Sequence, residues 1–298
     1  MLKKSIAVIG AGKWGSALHF ALNQKQKCFI TSRTKKDIEN FVDLKTAMDC
    51  EFLVIAIPAQ EIRLWLEKNF VFKGQKILVA SKGIEASTGK FLNEIYNDFV
   101  TEENIGFISG PSFAAEVIKG LPCALVINSH SKKLYDEFIP YFPNFIKTYY
   151  SEDVIGAEIA GAYKNVLAIA SGICEGLNLG KNAQASLIAR GLVEMERFGE
   201  YFGSQKSTFL GLSGAGDLFL TANSTMSRNF RVGLGLASNQ ILDDILKELG
   251  EVAEGIKTAD AIYNLSLKHN IYTPIANEVK LILDGKNPKD SLKDLLKQ

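Results

Sequence analysis

The chain has 298 residues, of which 47% are hydrophobic and 22% are charged, and its formal net charge is +1. A chain of this length buries about three quarters of the surface that it exposes when unfolded, so we expect a full core in about two domains. The near-neutral charge argues against a nucleic-acid or general polyanion binder, although it leaves a local basic pocket open.

The apolar runs exclude a membrane span, since the longest, such as residues 52–58, are far too short to cross a bilayer. Residues 1–4 lead directly into an apolar strand pattern and lack the features of a secretory leader, so we expect a cytoplasmic protein. The cysteines are scattered, which predicts free thiols and neither a disulfide framework nor a zinc site.

The first half alternates strand and helix patterns. Near-continuous apolar runs predict strands buried on both faces of a parallel sheet, at residues 5–9, 28–31, 52–57, 76–80, 105–109 and 124–128. Helical periodicity lies between them, at residues 11–24, 60–69, 89–99 and 131–141. Strands that alternate with helices indicate βαβ units and a doubly wound sheet.

A glycine pattern follows the first strand. Residues 10–15 read Gly-Ala-Gly-Lys-Trp-Gly, between a strand and a helix. Gly10 permits a tight turn, Gly12 lets the backbone approach a pyrophosphate, and Gly15 allows helix and sheet to pack closely. The free N–H groups of the helix then face the phosphates. We therefore predict a Rossmann-like dinucleotide-binding domain over residues 1–150.

The end of the second strand carries Arg33, with Lys35 and Lys36 close behind, where an acid would bind the ribose 2′-hydroxyl of NAD. An arginine suits a 2′-phosphate, which favours NADP slightly over NAD. A solvated basic loop, or an arginine stacked on adenine that accepts either cofactor, is nearly as consistent with the pattern.

After residue 151 the strand pattern fades. Apolar residues recur at helical spacing from Ile155, and further helical patterns cover residues 183–201, 241–249, 255–269 and 277–283. We predict an all-helical domain over residues 151–298 that binds substrate and carries the catalytic group.

Ligands of open α/β sheets bind beyond the carboxyl ends of the strands. Lys82 follows one predicted strand and is a candidate for binding a substrate anion or carbonyl. Gly110 and Ser112 follow another strand and can offer an N–H and a hydroxyl. The alternative for Lys82 is an ordinary surface lysine. The alternative for Gly110 and Ser112 is a simple helix start that Ser112 caps.

Lys164 does not belong to the apolar stripe of its helix. It shares a face with Ala157, Gly161, Ala168 and Gly172, which leave space for a ligand or another backbone. A lysine partly withdrawn from water has a lowered pKa and donates protons near neutral pH. Close helix packing, with Lys164 extending to solvent, accounts for the pattern equally well.

Three further stretches have both a functional and a structural interpretation. Asp217 lies in a small-residue turn and either caps a helix or orients a catalytic group. The residues Ser227, Arg228 and Asn229 are anion donors or a surface loop. Glu254 precedes a helix and caps it in the structural interpretation.

Taken in order, these stretches resemble the NAD(P)-dependent glycerol-3-phosphate dehydrogenases of the bacterial type. The matching stretches are residues 10–15, 81–83, 108–114, 161–166, 214–217, 227–229 and 251–255. They span nearly the whole chain, and the lysine and Ser-Arg-Asn motifs are specific to that family, whereas many families share the glycine turn. The segment between Arg33 and Glu51 is shorter than is usual in the family, so its local structure stays open.

The resemblance implies an oxidoreductase that interconverts glycerone phosphate and sn-glycerol 3-phosphate with NADP or NAD and feeds glycerophospholipid synthesis. Lys164 would be the proton donor or acceptor. The implied substrate contacts are Lys82, Gly110, Ser112, Asp217, Ser227, Arg228 and Asn229. The implied cofactor contacts are Gly10, Gly12, Lys13, Trp14, Gly15, Arg33, Lys82, Ala114, Arg228, Val252 and Glu254.

Two other functions remain open at this point. A hydroxyacid dehydrogenase also pairs a dinucleotide fold with a helical domain and a lysine, but the Asp217 turn and the Ser-Arg-Asn motif count against it. A non-enzymatic nucleotide sensor would bind the cofactor without turnover. Because helical domains of this kind often pair, the expected assembly is a homodimer.

Overall fold

The computed structural model describes residues 3–297; Met1, Leu2 and Gln298 lie outside the described residues. Within that range, no helix is both long enough and apolar enough to cross a bilayer. Contacts divide the chain into two compact units. One contains the chain up to Ser81 and Leu92–Val154, and the other contains Lys82–Phe91 and the chain from Ile155 onward.

The first unit is built on a sheet of seven strands. They are β1 (Lys3–Ile9), β2 (Cys28–Thr31), β3 (Cys50–Ile55), β4 (Lys76–Val79), β5 (Ile105–Ser109), β6 (Cys123–Asn128) and β7 (Ile146–Ser151). Their order is β2-β1-β3-β4-β5-β6-β7, with every pair parallel except β5 and β6. The six predicted strands are confirmed, and β7 is an edge strand that the sequence analysis missed.

Helices cover both faces of this sheet, as the apolar strands require. They are α1 (Lys13–Asn23), α2 (Leu44–Met48), α3 (Ile62–Asn69), α4 (Leu92–Tyr96), α5 (Ala114–Val117) and α6 (Lys132–Phe138). Two apolar clusters result, one around Val8, Val54 and Leu78 and the other around Ala7, Leu53 and Ile77. Alternate residues of each strand therefore serve opposite faces, and the predicted Rossmann-like doubly wound sheet is confirmed.

Helices make up the second unit from Ile155 onward, whereas its other part, residues 82–91, contains no helix. Its helices are α7 (Val154–Gly176), α8 (Gly180–Tyr201), α9 (Lys206–Leu210), α10 (Asp217–Ala222), α11 (Arg228–Ala237), α12 (Leu242–Leu249), α13 (Glu254–His269), α14 (Pro274–Leu283) and α15 (Pro288–Lys297). A π-helical turn, Leu212–Gly216, precedes α10. One apolar cluster, with Tyr163, Phe198 and Ile262 fully buried, forms its core.

The segment Lys82–Phe91 follows β4 in sequence but packs in the helical unit. Ile84 and Phe91 pair across an antiparallel bridge, and both are buried in the helical core. Gly89 adopts a φ of +73° at the tip, with Leu265 of α13 directly against it. These apolar anchors hold Lys82, the first residue of the segment, on the helical unit.

Candidate active site

The glycine turn in the first unit depends on close backbone contacts. Gly10 has a φ of +106°, and a Cβ there would lie 2.4 Å from the carbonyl oxygen of Ala56. A Cβ on Gly15 would lie 1.8 Å from the carbonyl oxygen of Gly10. A Cβ on Gly12, in contrast, would meet no heavy atom of the described chain within 4 Å beyond its immediate neighbours and its own helix. Gly10 and Gly15 thus close the turn, while Gly12 presents an open backbone face.

Helix α1 begins directly behind this open face. Gly12 is its N-cap residue, and the helix start has neither a side-chain cap hydrogen bond nor an acid in the first turn. Lys13 is exposed, and Trp14 is half-buried against the apolar cluster on that face of the sheet. The turn therefore fits a pyrophosphate, because no acid in the first turn of α1 offsets the partial positive charge of the helix start.

The segment between Arg33 and Glu51 contains one short helix and a strand-like stretch. Phe41 bridges Ile30 in parallel, and Val42 N donates to Ile30 O over 2.9 Å, so this stretch covers the outer edge of β2. Arg33 is exposed in the preceding loop. The turn and the strand end are tied together because Gly10 N donates to Thr31 O over 2.8 Å.

Gly110 and Ser112 lie after β5. Gly110 has a φ of +105°, and a Cβ there would lie 2.8 Å from Ala124 O, so only glycine fits. The Ser112 hydroxyl donates to Gly110 O over 3.3 Å and caps no helix, since α5 begins at Ala114 after Phe113. The capping alternative for Ser112 is therefore wrong.

Lys164 is buried in the helical unit, with 8% of its surface exposed. Its Nζ donates to Asp217 Oδ1 over 2.6 Å and to Thr221 Oγ1 over 3.1 Å. The alternative in which Lys164 extends to bulk solvent is therefore wrong. The ammonium is held in a defined place by two groups from α10.

Lys82 reaches the same carboxylate from the segment Lys82–Phe91. Its Nζ donates to Asp217 Oδ2 over 2.7 Å, so one carboxylate bridges two ammonium groups. The aliphatic stem of Lys82 runs past Gly161, where a Cβ would lie 3.3 Å from Lys82 Cδ. The small residue on the Lys164 face of α7 thus makes room for the second lysine.

The small face of α7 also meets a second backbone. A Cβ on Gly172 would lie 2.1 Å from Phe230 O, and one on Gly233 would lie 2.1 Å from Ile169 O. Glycines on both helices therefore allow α7 and α11 to cross in backbone contact. The sequence analysis left a ligand or another backbone open for this face. A backbone lies against Gly172, whereas the side chain of Lys82, which is neither, lies against Gly161.

Burial and charge together set the protonation of this cluster. Burial lowers the pKa of Lys164 to about 8; Asp217 opposes that shift and Lys82 adds to it. Burial disfavours the charge of Asp217, but the two lysines outweigh it and hold the pKa of Asp217 below its usual value. The cluster therefore carries one excess positive charge at neutral pH and has a proton that it can release.

The Ser-Arg-Asn motif begins α11. The Ser227 hydroxyl accepts from Phe230 N over 3.3 Å and caps the helix. Asn229 is buried; its Nδ2 donates to Asn165 Oδ1, and its Oδ1 accepts from Gly255 N, both over 3.0 Å. Arg228 has 43% of its side chain exposed, with Glu251 at 3.4 Å. Arg228 is thus partly exposed, whereas Ser227 caps α11 and Asn229 joins α11 to α7 and α13.

The remaining sequence-predicted residues lie at the start of α13. Glu254 is the first residue of that helix, and Val252, two residues earlier, is 57% exposed. Gly255 N supplies the donor that joins this helix to Asn229.

Sequence analysis did not single out Thr221 or Asn165 as site residues. Thr221 lies one turn after Asp217 on α10, and its hydroxyl also donates to Asp217 O over 2.6 Å. The i, i+4 spacing of Asp217 and Thr221 on one helix was the sequence signal that could have identified Thr221. Asn165 directly follows Lys164. Its Oδ1 accepts from Asn229 Nδ2, and its own Nδ2 donates to Gly161 O over 3.2 Å.

Comparison with known proteins gives a consistent result for both halves. Residues 31–135 match the family described as NAD-dependent glycerol-3-phosphate dehydrogenase N-terminus, and residues 153–293 match its C-terminus. The chain is 60% identical over 291 residues to glycerol-3-phosphate dehydrogenase [NAD(P)+] of Sulfurimonas denitrificans, which covers 98% of both chains. The chain belongs to the NAD-dependent glycerol-3-phosphate dehydrogenase family.

Two further relatives agree with this assignment. The enzyme of the same name from Campylobacter jejuni strain RM1221 is 61% identical over 293 residues, covering 98% of this chain and 99% of its own. The crystal structure of glycerol-3-phosphate dehydrogenase from Coxiella burnetii superposes with a TM-score of 0.90 at 32% identity and 99% coverage of both chains. The resemblance stated from the motifs is therefore confirmed.

Proposed function

We propose that this chain interconverts glycerone phosphate and sn-glycerol 3-phosphate with NAD(P)H, the activity that the names of its relatives carry. The observation that supports it best is the buried cluster in which Asp217 bridges Lys82 and Lys164. Such a cluster attracts an anionic substrate and contains a lysine whose pKa is suited to proton transfer near neutral pH.

The dinucleotide would supply the hydride, and the residues that would hold it are those that the resemblance implies. Gly10, Gly12 and Gly15 form the turn for the pyrophosphate, and Arg33 belongs to the adenosine end. The further implied contacts are Lys13, Trp14, Lys82, Ala114, Arg228, Val252 and Glu254. The open backbone at Gly12 and the unneutralised start of α1 support this assignment.

Lys164 would supply the proton in the reduction. As the carbonyl carbon becomes tetrahedral, its oxygen gains negative charge and takes a proton from the Lys164 ammonium, which is left as a neutral amine and is reprotonated from solvent. Before transfer, the ammonium also stabilises the developing charge. Asp217 and Thr221 hold the ammonium in place, so little entropy is lost when the substrate arrives.

Arg228 would bind the substrate phosphate. Its guanidinium is exposed and can form two parallel hydrogen bonds to a phosphate, while Ser227 and Asn229 fix the start of its helix. Lys82 and Asp217 would contact the polar groups of the three-carbon chain, and Gly110 and Ser112 complete the implied contacts. Binding the phosphate contributes energy that orients the carbonyl.

The test is the change in absorbance at 340 nm with glycerone phosphate and each reduced cofactor. Lys164→Ala should lower kcat by about 10²–10⁴-fold, the usual contribution of a general acid, with little loss of cofactor binding. Lys181→Ala is the matched control, because that lysine is on the neighbouring helix of the same unit with 78% of its side chain exposed. Near-normal turnover by Lys164→Ala would remove Lys164 from this role.

A substrate panel separates the proposal from its rivals. Oxidation of a hydroxyacid but not of glycerol 3-phosphate would favour a hydroxyacid dehydrogenase, and tight dinucleotide binding without turnover would favour a sensor. We also propose that the enzyme works in the cytoplasm as a homodimer and supplies glycerophospholipid synthesis. Light scattering of the purified chain tests the dimer: a mass of one chain at micromolar concentration would refute it.

A further inference from the structure

A lysine from the loop after β2 is attached to the glycine turn. Lys36 Nζ donates to Ala11 O over 2.5 Å, joining residues 25 positions apart. Ala11 lies between Gly10 and Gly12, and Gly10 N is itself bonded to Thr31 O at the end of β2. The ammonium is thus placed where the glycine turn and the strand end meet.

This position is where the fold discriminates between its cofactors. In dinucleotide-binding units the group at the end of the second strand reads the ribose 2′ substituent, and the glycine turn holds the adjoining pyrophosphate. A cation held between the two would lie beside that substituent. Its contact with Ala11 orients it there before any cofactor binds, which reduces the entropy lost on binding.

Lys36 also keeps its charge available. Its partner is a neutral carbonyl, no carboxylate within residues 3–297 forms an ion pair with it, and the side chain is exposed. An ammonium has three donors, so two remain for a ligand. A dianionic phosphate is the group that best uses a full charge and two donors together.

The acids of the same loop do not take the place of a ribose-binding carboxylate at the strand end. Glu39 accepts from Asn23 over 3.3 Å and from Asn40 over 3.5 Å, so it is turned to the far end of α1. Asp37 comes six positions after Thr31, behind Arg33 and the two lysines. The first charges that the loop presents after β2 are therefore positive.

We propose that Lys36 is a specificity-determining residue that binds the 2′-phosphate of NADP(H), together with Arg33. This inference rests on the proposed dinucleotide site and adds to it the choice between the two cofactors. The loop can bring Lys36 to the turn because the chain bends back after it to pair Phe41 with Ile30 along β2.

The experiment is calorimetric titration of the purified, unliganded chain with two probes that differ only by the 2′-phosphate: adenosine 2′,5′-bisphosphate and 5′-AMP. We expect Lys36→Met to weaken the bisphosphate about tenfold and to leave 5′-AMP within about twofold, as for loss of one exposed charge-assisted contact. Lys36→Arg should retain most of the preference. Lys35→Met is the matched control, because Lys35 is the adjacent exposed lysine and makes no hydrogen bond or ion pair within the described chain.

Three results would overturn the proposal. Equal weakening of both probes would mean that Lys36 only supports the glycine turn. If Lys36→Met kept the preference for the bisphosphate over 5′-AMP, Lys36 would have no part in recognising the 2′-phosphate. If Lys35→Met lost the same affinity for the bisphosphate, the effect would come from the total charge of the loop and not from Lys36. If the wild-type chain bound neither probe and neither NADH nor NADPH, the proposed function itself would fail, which is a different outcome from the other three.

Discussion

Replacing Asp217 by Asn removes the negative charge that bridges the two lysines and keeps nearly the same shape. Lys164 Nζ lies 2.6 Å from Asp217 Oδ1. At that distance the attraction is about 6 kcal/mol with an effective dielectric constant of about 20. If water that enters the site cancels half of it, the pKa of Lys164 still falls by about two units.

The shift has a direct consequence for catalysis. Lys164 has a pKa of about 8 and is mostly protonated at pH 7. A pKa about two units lower would leave roughly one tenth of the enzyme protonated at pH 7, so kcat/KM for reduction should fall about tenfold from this cause alone. The loss should reverse on acidification to about pH 5, whereas a loss caused by misfolding would not.

The assay is kcat/KM for glycerone phosphate reduction between pH 5 and 9, which reports the free enzyme. The substrate phosphate titrates near pH 6, as phosphate monoesters do, but it does so equally for both enzymes and cancels in the comparison. Thr221→Val is the control, since it removes the 3.1 Å hydrogen bond to Lys164 without changing a charge. A midpoint in Asp217→Asn that is unchanged, or moved to higher pH, would refute the reasoning.

Four further substitutions test the surrounding structure. Glu194→Gln should lower the free energy of unfolding, measured in urea at pH 7, by about 2 kcal/mol. The reason is that the buried Glu194 carboxylate accepts hydrogen bonds from two backbone N–H groups at the start of α14 and from the Tyr163 hydroxyl. An unchanged urea midpoint would contradict this. Burial raises the pKa of Glu194, so the wild type should lose stability as the pH rises through that pKa and the Gln variant should not. Gly172→Ala should lower Tm by several degrees, since its Cβ would meet a backbone carbonyl at 2.1 Å; a shift below about 1 °C would show that α7 and α11 can separate. Gly12→Ala should keep the wild-type Tm but weaken NADPH binding, whereas Gly15→Ala should lower both; equal Tm values for the two would argue against the packing role of Gly15.

The pattern of apolar residues along the sequence was sufficient to predict most strands of the sheet. Six strands are buried on both faces, so their apolar runs identify them without any knowledge of their neighbours. The seventh, β7, is an edge strand in which only Ile146 is buried, and it includes Lys147 and an exposed Tyr149. Such a strand has little apolar excess, so its pattern does not stand out from that of a polar loop.

The segment Lys82–Phe91 shows where local pattern fails. Its residues follow a sheet strand, and the helical periodicity over 89–99 predicted an earlier helix start than the observed Leu92. Ile84 and Phe91 pack instead in a core formed by residues more than 60 positions later. Nothing within the segment specifies that partner, because the apolar surface that it covers exists only after the later helices have folded.

The amino-acid sequence alone determined the βαβ order, the glycine turn, the helical second half, and which side chains have suitable chemistry. Tertiary structure decided which of those side chains share an environment: Lys82 and Lys164 meet one carboxylate 135 and 53 positions away, and Lys36 reaches the glycine turn. The reason is physical. A pKa and a charge-assisted contact depend on distance and on the exclusion of water, and both are properties of the packed chain that no spacing along the sequence encodes.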